Sequence, residues 1–194
     1  MLSVDDYRDG ILAGIGVLAP IELPLSSAHG CVLAADVAAP WPLPSFDNSS
    51  MDGYAVRSAD VALASAEAPV ELTVVDDVPA GFRSTEAVTP GTAIRIMTGA
   101  PMPDGADAVV PVERTDGGTA TVWVSQGVDS GAYIRRAAED VVAGEVVLTA
   151  GTLIGARQVA ILAAVGCGLV FVHPRPRIAV ISTGSELLAP GQPP

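Results

Sequence analysis

Turns constrain this chain more than any other feature. Residues 70–75, 92–97, 108–112 and 119–124 are short β-rich runs with a glycine- or proline-bearing break in each gap. The breaks are Pro79-Ala80-Gly81 and Pro90-Gly91, then Pro103-Asp104-Gly105, then Asp116-Gly117-Gly118. Proline cannot continue a helix or a central strand, and glycine supplies backbone angles that other residues resist. Strands broken at such intervals predict a small sandwich or barrel between residues 54 and 124. Aromatic residues are only 4% of the chain, so Val, Ile, Leu and Ala must build its cores.

Helical periodicity is confined to the flanks. Ser3 with Asp6 three residues on forms a variant capping box, and Val4, Tyr7, Ile11, Ile15 and Leu18 then recur at helical spacing. This predicts an amphipathic helix over 3–18, stopped by Pro20. Asp5, Asp6 and Asp9 complement the helix dipole at its start. A short helix is expected over 25–35, an extended piece over 36–39, and a semi-rigid connection at Pro40-Trp41-Pro42-Leu43-Pro44. Downstream, 145–150 reads as turn–strand–turn, 156–165 as a helix stopped by Gly166, and 168–172 as a strand. The apolar run 177–182 enters Thr183-Gly184 like the first βα element of a doubly wound sheet, whose ligands bind at the carboxyl ends of strands. A buried parallel strand needs partners on both sides, so the reading expects a truncated domain there.

Composition removes whole classes of chemistry. All ten basic residues are arginine, and without lysine there is no Walker-A loop and no Schiff-base or lysine nucleophile. A formal charge of −12 without basic runs argues against nucleic acid or an anionic membrane as partner. Cys31 and Cys167 form no CxxC pair, and His29 and His173 are isolated, so neither a disulfide framework nor a zinc site is suggested. The acidic N-terminus lacks the basic region of a signal peptide, and the longest uncharged run, 159–172, is too short to span a bilayer. A cytoplasmic protein is the expectation.

Three stretches carry polar chemistry. Residues 44–57 crowd Ser45, Asp47, Asn48, Ser49, Ser50 and Asp52 before Gly53-Tyr54-Ala55-Val56. Buried polar groups need partners, so such a cluster lines a pocket or forms an ordinary Asx-type turn. Asp52-Gly53 is read as a tight turn needing φ > 0 at the glycine. Arg95-Ile96-Met97-Thr98-Gly99-Ala100-Pro101 ends a strand with a hydroxyl at its tip, which serves either function or the local backbone. In Arg135-Arg136 followed by Glu139-Asp140, the guanidiniums can grip an oxyanion and the carboxylates can hold Mg²⁺. The alternative is a solvated salt-bridging turn.

Together these segments resemble the molybdopterin molybdenumtransferases, the last enzymes of molybdenum-cofactor synthesis, whose relatives include the C-terminal domain of gephyrin. The resemblance is carried by 44–57 with its Phe-Asp-Asn-Ser and Met-Asp-Gly-Tyr-Ala-Val core. It continues through 95–101 with Gly105-Ala106-Asp107-Ala108-Val109-Val110, then 134–140, then 177–187. It implies a mixed α/β and β fold. An elongated α/β domain (1–45 and 130–176) would hold an inserted β-barrel-like domain (46–129). Residues 177–194 would hold the first strand of a truncated α/β molybdopterin-binding domain. It also implies a homodimer whose active site lies between the second domain of one subunit and the third of the other.

Carried over position by position, the resemblance implies catalytic roles for Asp52, Thr98, Asp140 and Glu186. Substrate contacts fall to Asn48, Ser49 and Arg135. Two departures stand out. The usual glycine before Glu139-Asp140 is Ala138, which disfavours any φ > 0 there, and the usual aspartate before Glu186 is Ser185. The implied reaction inserts molybdenum from molybdate into adenylylated molybdopterin and releases AMP. Both substrates are anions, so Mg²⁺ as cofactor, with Asp52, Asp140 and Glu186 as candidate ligands, would offset the chain's own negative charge. Contact with the preceding molybdopterin adenylyltransferase is a further expected partnership, and no membrane is expected. The isolated chain is expected to be inactive, and the alternative is a non-catalytic dimerisation or partner-docking module.

Overall fold

The computed structural model describes residues 2–184, 186–188 and 190–192; Ser185 lies outside them. In chain order the first elements are α1 (Val4–Ala13), β1 (Ile21–Pro24), β2 (Val32–Leu33), β3 (Val37–Ala38) and β4 (Asn48–Ser49). There follow β5 (Gly53–Val56), α2 (Ser58–Val61), β6 (Val70–Val78), β7 (Thr92–Ile96), β8 (Ala108–Pro111) and β9 (Thr121–Val124). The last are β10 (Ile134–Arg135), β11 (Val146–Leu148), α3 (Ala156–Ala164) and β12 (Leu169–His173). The chain is mixed α/β and rich in strands, and it divides into two compact units, Met1–Val37 with Leu148–Pro194, and Ala38–Val147.

In the first unit, β12 lies between β1 and β2, antiparallel to both. Strand alternation decides its packing: Val170 and Val172 are buried while Leu169 and Phe171 face out. Leu162 of α3 and Ile154 close the core over Leu33, Ala28 and Cys31. Gly166, at φ +80°, ends the α3 turn as its sequence position implies. Both cysteines are free. His173 Nδ1 donates to the Leu18 carbonyl at 2.7 Å, because a carbonyl can only accept.

Helix α1 begins as the capping box requires. Ser3 Oγ accepts the Asp6 N–H at 3.1 Å, and Asp6 Oδ2 accepts the Ser3 N–H at 3.3 Å. The helix is shorter than its apolar spacing suggests, ending at Ala13 with Gly14 as C-cap instead of running to Leu18. Gly14 and Gly16 each cost about 1 kcal/mol relative to alanine in a helix, which outweighs one further apolar position. None of its residues is buried, and Tyr7 is 64% exposed.

Two expected elements are replaced. Residues 25–35 form a 3-10 turn (Leu25–Ser27) and then β2, because Gly30 sits at φ +81° and interrupts any helix. The Leu33 N–H then bonds the Thr152 carbonyl at 2.9 Å, a partner far along the sequence. Residues 177–182 form no strand, and Ile178, Val180 and Ile181 are all at least 80% exposed. A strand persists only where its N–H and C=O groups find partners, and no described segment pairs with this one.

The second unit holds a five-stranded open sheet, ordered β8-β5-β7-β6-β9 and curled into a half-barrel. β5 is antiparallel to β7 and β8, β6 is parallel to β7, and a register shift bends β6 between Val74 and Asp76. β5 and β8 are buried on both faces. Tyr54, Val56 and Val110 enter one core with Leu72 and Val122; Ala55 and Val109 enter the other with Ile94 and Ile96. Each of the Val, Leu and Ile side chains contributes about 1.5–3 kcal/mol by leaving water.

Gly53 corrects the reading of Asp52-Gly53 as a positive-φ turn. It is the first residue of β5 and is not among the positive-φ glycines. Glycine is needed there for space, since a Cβ would stand 2.0 Å from the Val110 carbonyl oxygen.

Candidate functional site

The site in the second unit is organised by β4, two residues long. On one side Asn48 and Ser49 pair with Arg135 and Ile134 of β10. On the other, the Ser49 N–H bonds the Ala100 carbonyl at 3.0 Å and the Gly99 N–H bonds the Ser49 carbonyl at 2.8 Å. Three stretches distant in sequence, 47–52, 97–102 and 133–140, are thus held together by main-chain hydrogen bonds.

Their side chains form two pairs. The turn Met97-Thr98-Gly99-Ala100 closes through an Ala100 N–H bond to the Met97 carbonyl at 3.0 Å, with Gly99 at φ +82°. Positive φ at the third position is the type II geometry that glycine permits. Thr98 is thereby presented to Asp52, whose Oδ1 accepts the Thr98 N–H at 2.7 Å and its hydroxyl at 2.8 Å. These two bonds, the backbone one foremost, hold the Asp52 carboxyl below its usual range. Asp52 is exposed, and its Oδ2 has no hydrogen bond among the described residues.

The second pair is Arg135 with Asp140, 2.6 Å apart and each about half exposed. They line a cleft of about 360 Å³ together with Phe46, Asn48 and Gly99. Asn48 and Ser49 are buried, and their side chains serve the main chain. Asn48 Nδ2 donates to the Phe46 carbonyl at 3.1 Å and Ser49 Oγ to that of Met51 at 2.5 Å.

Asp47 is a participant that sequence reasoning did not single out. Its Oδ1 accepts the Ala137 N–H at 2.8 Å and its Oδ2 pairs with Arg136 at 2.6 Å. The Ala137 N–H, then Arg136, hold its carboxyl below the ordinary value. Its place in the polar cluster 45–52 was the available signal. The turn it anchors carries Ala138 at φ 63°, the left-handed conformation that the alanine disfavours. The Ala138 N–H bonds the Pro44 carbonyl at 3.0 Å, and that of Asp140 bonds Leu43 at 2.9 Å. Strain at Ala138 is therefore held by hydrogen bonds on both sides.

Glu186 is exposed in a turn of the first unit, in the segment without strand structure. Among the described residues no three of His, Cys, Asp and Glu gather where they can hold a metal ion. Asp140 is neutralised by Arg135, and Asp52 offers one unbonded oxygen. This donor set does not fit a dedicated Mg²⁺ cage, which needs several oxygen ligands in octahedral geometry. The arrangement is a cleft lined by one ion pair, Arg135 with Asp140, beside the Asp52–Thr98 pair.

A strand-rich half-barrel inserted into a mixed α/β unit, with polar loops gathered at one short strand, defines the class of fold. Residues 2–166 match the MoeA N-terminal region (domain I and II), and the chain belongs to that family. It is 48% identical over 193 residues to Molybdopterin molybdenumtransferase 2 of Mycobacterium tuberculosis (strain ATCC 25618 / H37Rv), covering 100% of this chain and 48% of that protein. The Molybdopterin molybdenumtransferase of Nostoc sp. is 44% identical over 169 residues, 87% of this chain and 39% of its own. Among solved structures, a molybdopterin biosynthesis moeA protein from Pyrococcus horikoshii OT3 superposes with a TM-score of 0.76 at 38% identity. The match covers 88% of this chain and 46% of that one. The chain spans about half the length of these curated relatives.

Proposed function

We propose that this chain supplies one wall of the site at which molybdenum from molybdate enters adenylylated molybdopterin, with release of AMP. The observation that carries the reading is the juxtaposition of Asp52 with Thr98 beside the Arg135–Asp140 cleft, in a chain whose relatives are named molybdopterin molybdenumtransferases. Arg135 offers the positive charge that an anionic substrate needs on a chain of net charge −12. On substrate entry Asp140 would release Arg135 to the phosphate oxygens. Asp52, ionised and anchored through Oδ1 by Thr98, has Oδ2 available to orient a water or a substrate donor. Glu186 is a further proposed catalytic carboxylate, in the segment that the resemblance assigns to the molybdopterin-binding domain. The test grafts residues 1–194 onto the remaining half of the Mycobacterium tuberculosis relative and supplies adenylylated molybdopterin. Molybdate-dependent AMP release, one per molybdenum inserted, is expected; AMP release that ignores molybdate would refute the reading.

The exposed apolar face of α1 favours a second part of the proposal. Val4, Tyr7 and Ile11, each at least half exposed, are suited to a homodimer contact, since a lone helix needs tertiary burial to persist in water. A partnership with the adenylyltransferase that supplies the substrate, and the location in the cytoplasm, belong to the same reading. No helix among the described residues is long and apolar enough to cross a membrane.

A further inference from the structure

The second unit has another cleft, of about 630 Å³, larger than the one lined by Arg135 and Asp140 and sharing no residue with it. Its walls include Arg114, Gln126, Asp129 and Tyr133, and Ala62 and Val128 add apolar surface. Arg114 ends the 3-10 turn Val112–Arg114 after β8. Its main-chain carbonyl accepts both the N–H and the hydroxyl of Ser125, each at 2.9 Å. Its guanidinium lies 5.4 Å from the centroid of the Tyr133 ring and donates to Tyr133 Oη at 2.9 Å. Arg95, Arg135 and Arg136 of the same unit each meet a carboxylate, whereas Arg114 makes no ion pair among the described residues.

Tyr133 is itself held in an unusual state. Its φ is 58°, a genuine outlier for a bulky aromatic residue and the kind of strain that clusters at ligand sites. It packs against both cores of the half-barrel, and its carbonyl accepts the Ser50 N–H at 2.9 Å. Gly127, also in the cleft lining, has no room for a side chain, because a Cβ would meet the Val61 carbonyl oxygen at 2.4 Å. The arginine is thus pinned at both ends before any ligand arrives, which lowers the ordering cost of binding.

We propose that this cleft is a second ligand site, for a small organic anion with an oxyanion head and a compact apolar body. The head is a carboxylate or a phosphate. Arg114 grips it, since a guanidinium presents a fork of donors that matches either group. The ring of Tyr133 with Val128 and Ala62 covers the body, and the volume is that of ordinary small-molecule pockets. Asp129 is exposed in the same cleft, so it repels the head and confines it to Arg114. The site does not depend on the molybdenum reading, because none of its lining side chains has a proposed role in that one; Tyr133 touches it only through its main-chain carbonyl.

The test titrates the 194-residue chain with benzoate, phenyl phosphate and inorganic phosphate, followed by ¹H–¹⁵N NMR. Saturable shifts at Gly127 and Ala132 are expected below about 10 mM for benzoate or phenyl phosphate, with inorganic phosphate weaker for want of a body. Which of the two organic probes binds tighter identifies the head. Arg114→Ala should weaken binding about ten- to a hundredfold. Asp129→Asn should tighten it several-fold, a gain that misfolding cannot produce and that remains readable if Arg114→Ala does not fold. The proposal is overturned by no saturation, by shifts confined to residues 135–140, or by an Asp129→Asn variant that binds no better than the parent.

Discussion

At the scale of single residues, Asp52 is defined by what it accepts. Its carboxyl is held below the ordinary 3.8, first by the Thr98 N–H and then by the Thr98 hydroxyl. A depressed folded-state value means that the two bonds add stability above the unfolded value, and that this is lost as pH falls through the folded one. Following the Asp52 carboxyl carbon by NMR should give a midpoint below 3.8. Thr98→Val should raise it only part of the way, because the backbone donor remains; no change, or a full return, would contradict the assignment of causes. Ala138 gives a second prediction. Glycine there relieves a left-handed alanine, so Ala138→Gly should stabilise the chain by about 0.5–1 kcal/mol in urea unfolding. The strain at Ala138 followed from a family pattern and the geometry of alanine. The bonds between Asp52 and Thr98 did not, because they depend on how two turns distant in sequence are brought together.

At the scale of elements, local signals were sufficient where an element is closed by its own neighbours. The Ser3–Asp6 capping box starts α1 as read, and β6, β7, β8 and β9 fall on the four runs between the turns. Distant partners defeated the rest. Gly30 falls within the helix expected over 25–35, but it is a left-handed joint before β2, whose neighbouring backbone bonds to the carbonyls of Thr152 and Ile154. Asp52-Gly53 reads locally as a turn because nothing nearby in sequence reveals Val110 opposite Gly53. The consequence is measurable: Gly53→Ala should destabilise the half-barrel by about 3 kcal/mol or more, since the added methyl meets backbone that cannot swing aside. A loss under 1 kcal/mol by chemical denaturation would mean that β5 and β8 are not so closely apposed.

At the scale of the whole molecule, the two compact units divide the proposed functions. Asp52, Thr98, Arg135 and Asp140 belong to the second, whereas Glu186 and the exposed face of α1 belong to the first. If α1 joins two copies, Tyr7→Asp with Ile11→Asp should convert dimer to monomer in sedimentation equilibrium while leaving the circular dichroism of the sheets unchanged. A wild-type chain that is monomeric at every concentration would remove that role from α1. Of the four motifs, those at 44–57, 95–101 and 134–140 come together around β4, whereas the one at 177–187 lies in the first unit; the bonds that join the three required the folded chain. Asp52 carries most of the proposed function, and the direct measurement is the rate of molybdenum insertion by the grafted full-length enzyme carrying Asp52→Ala. A fall of about a hundredfold with the fold intact is expected, and an unchanged rate would contradict the role proposed for Asp52.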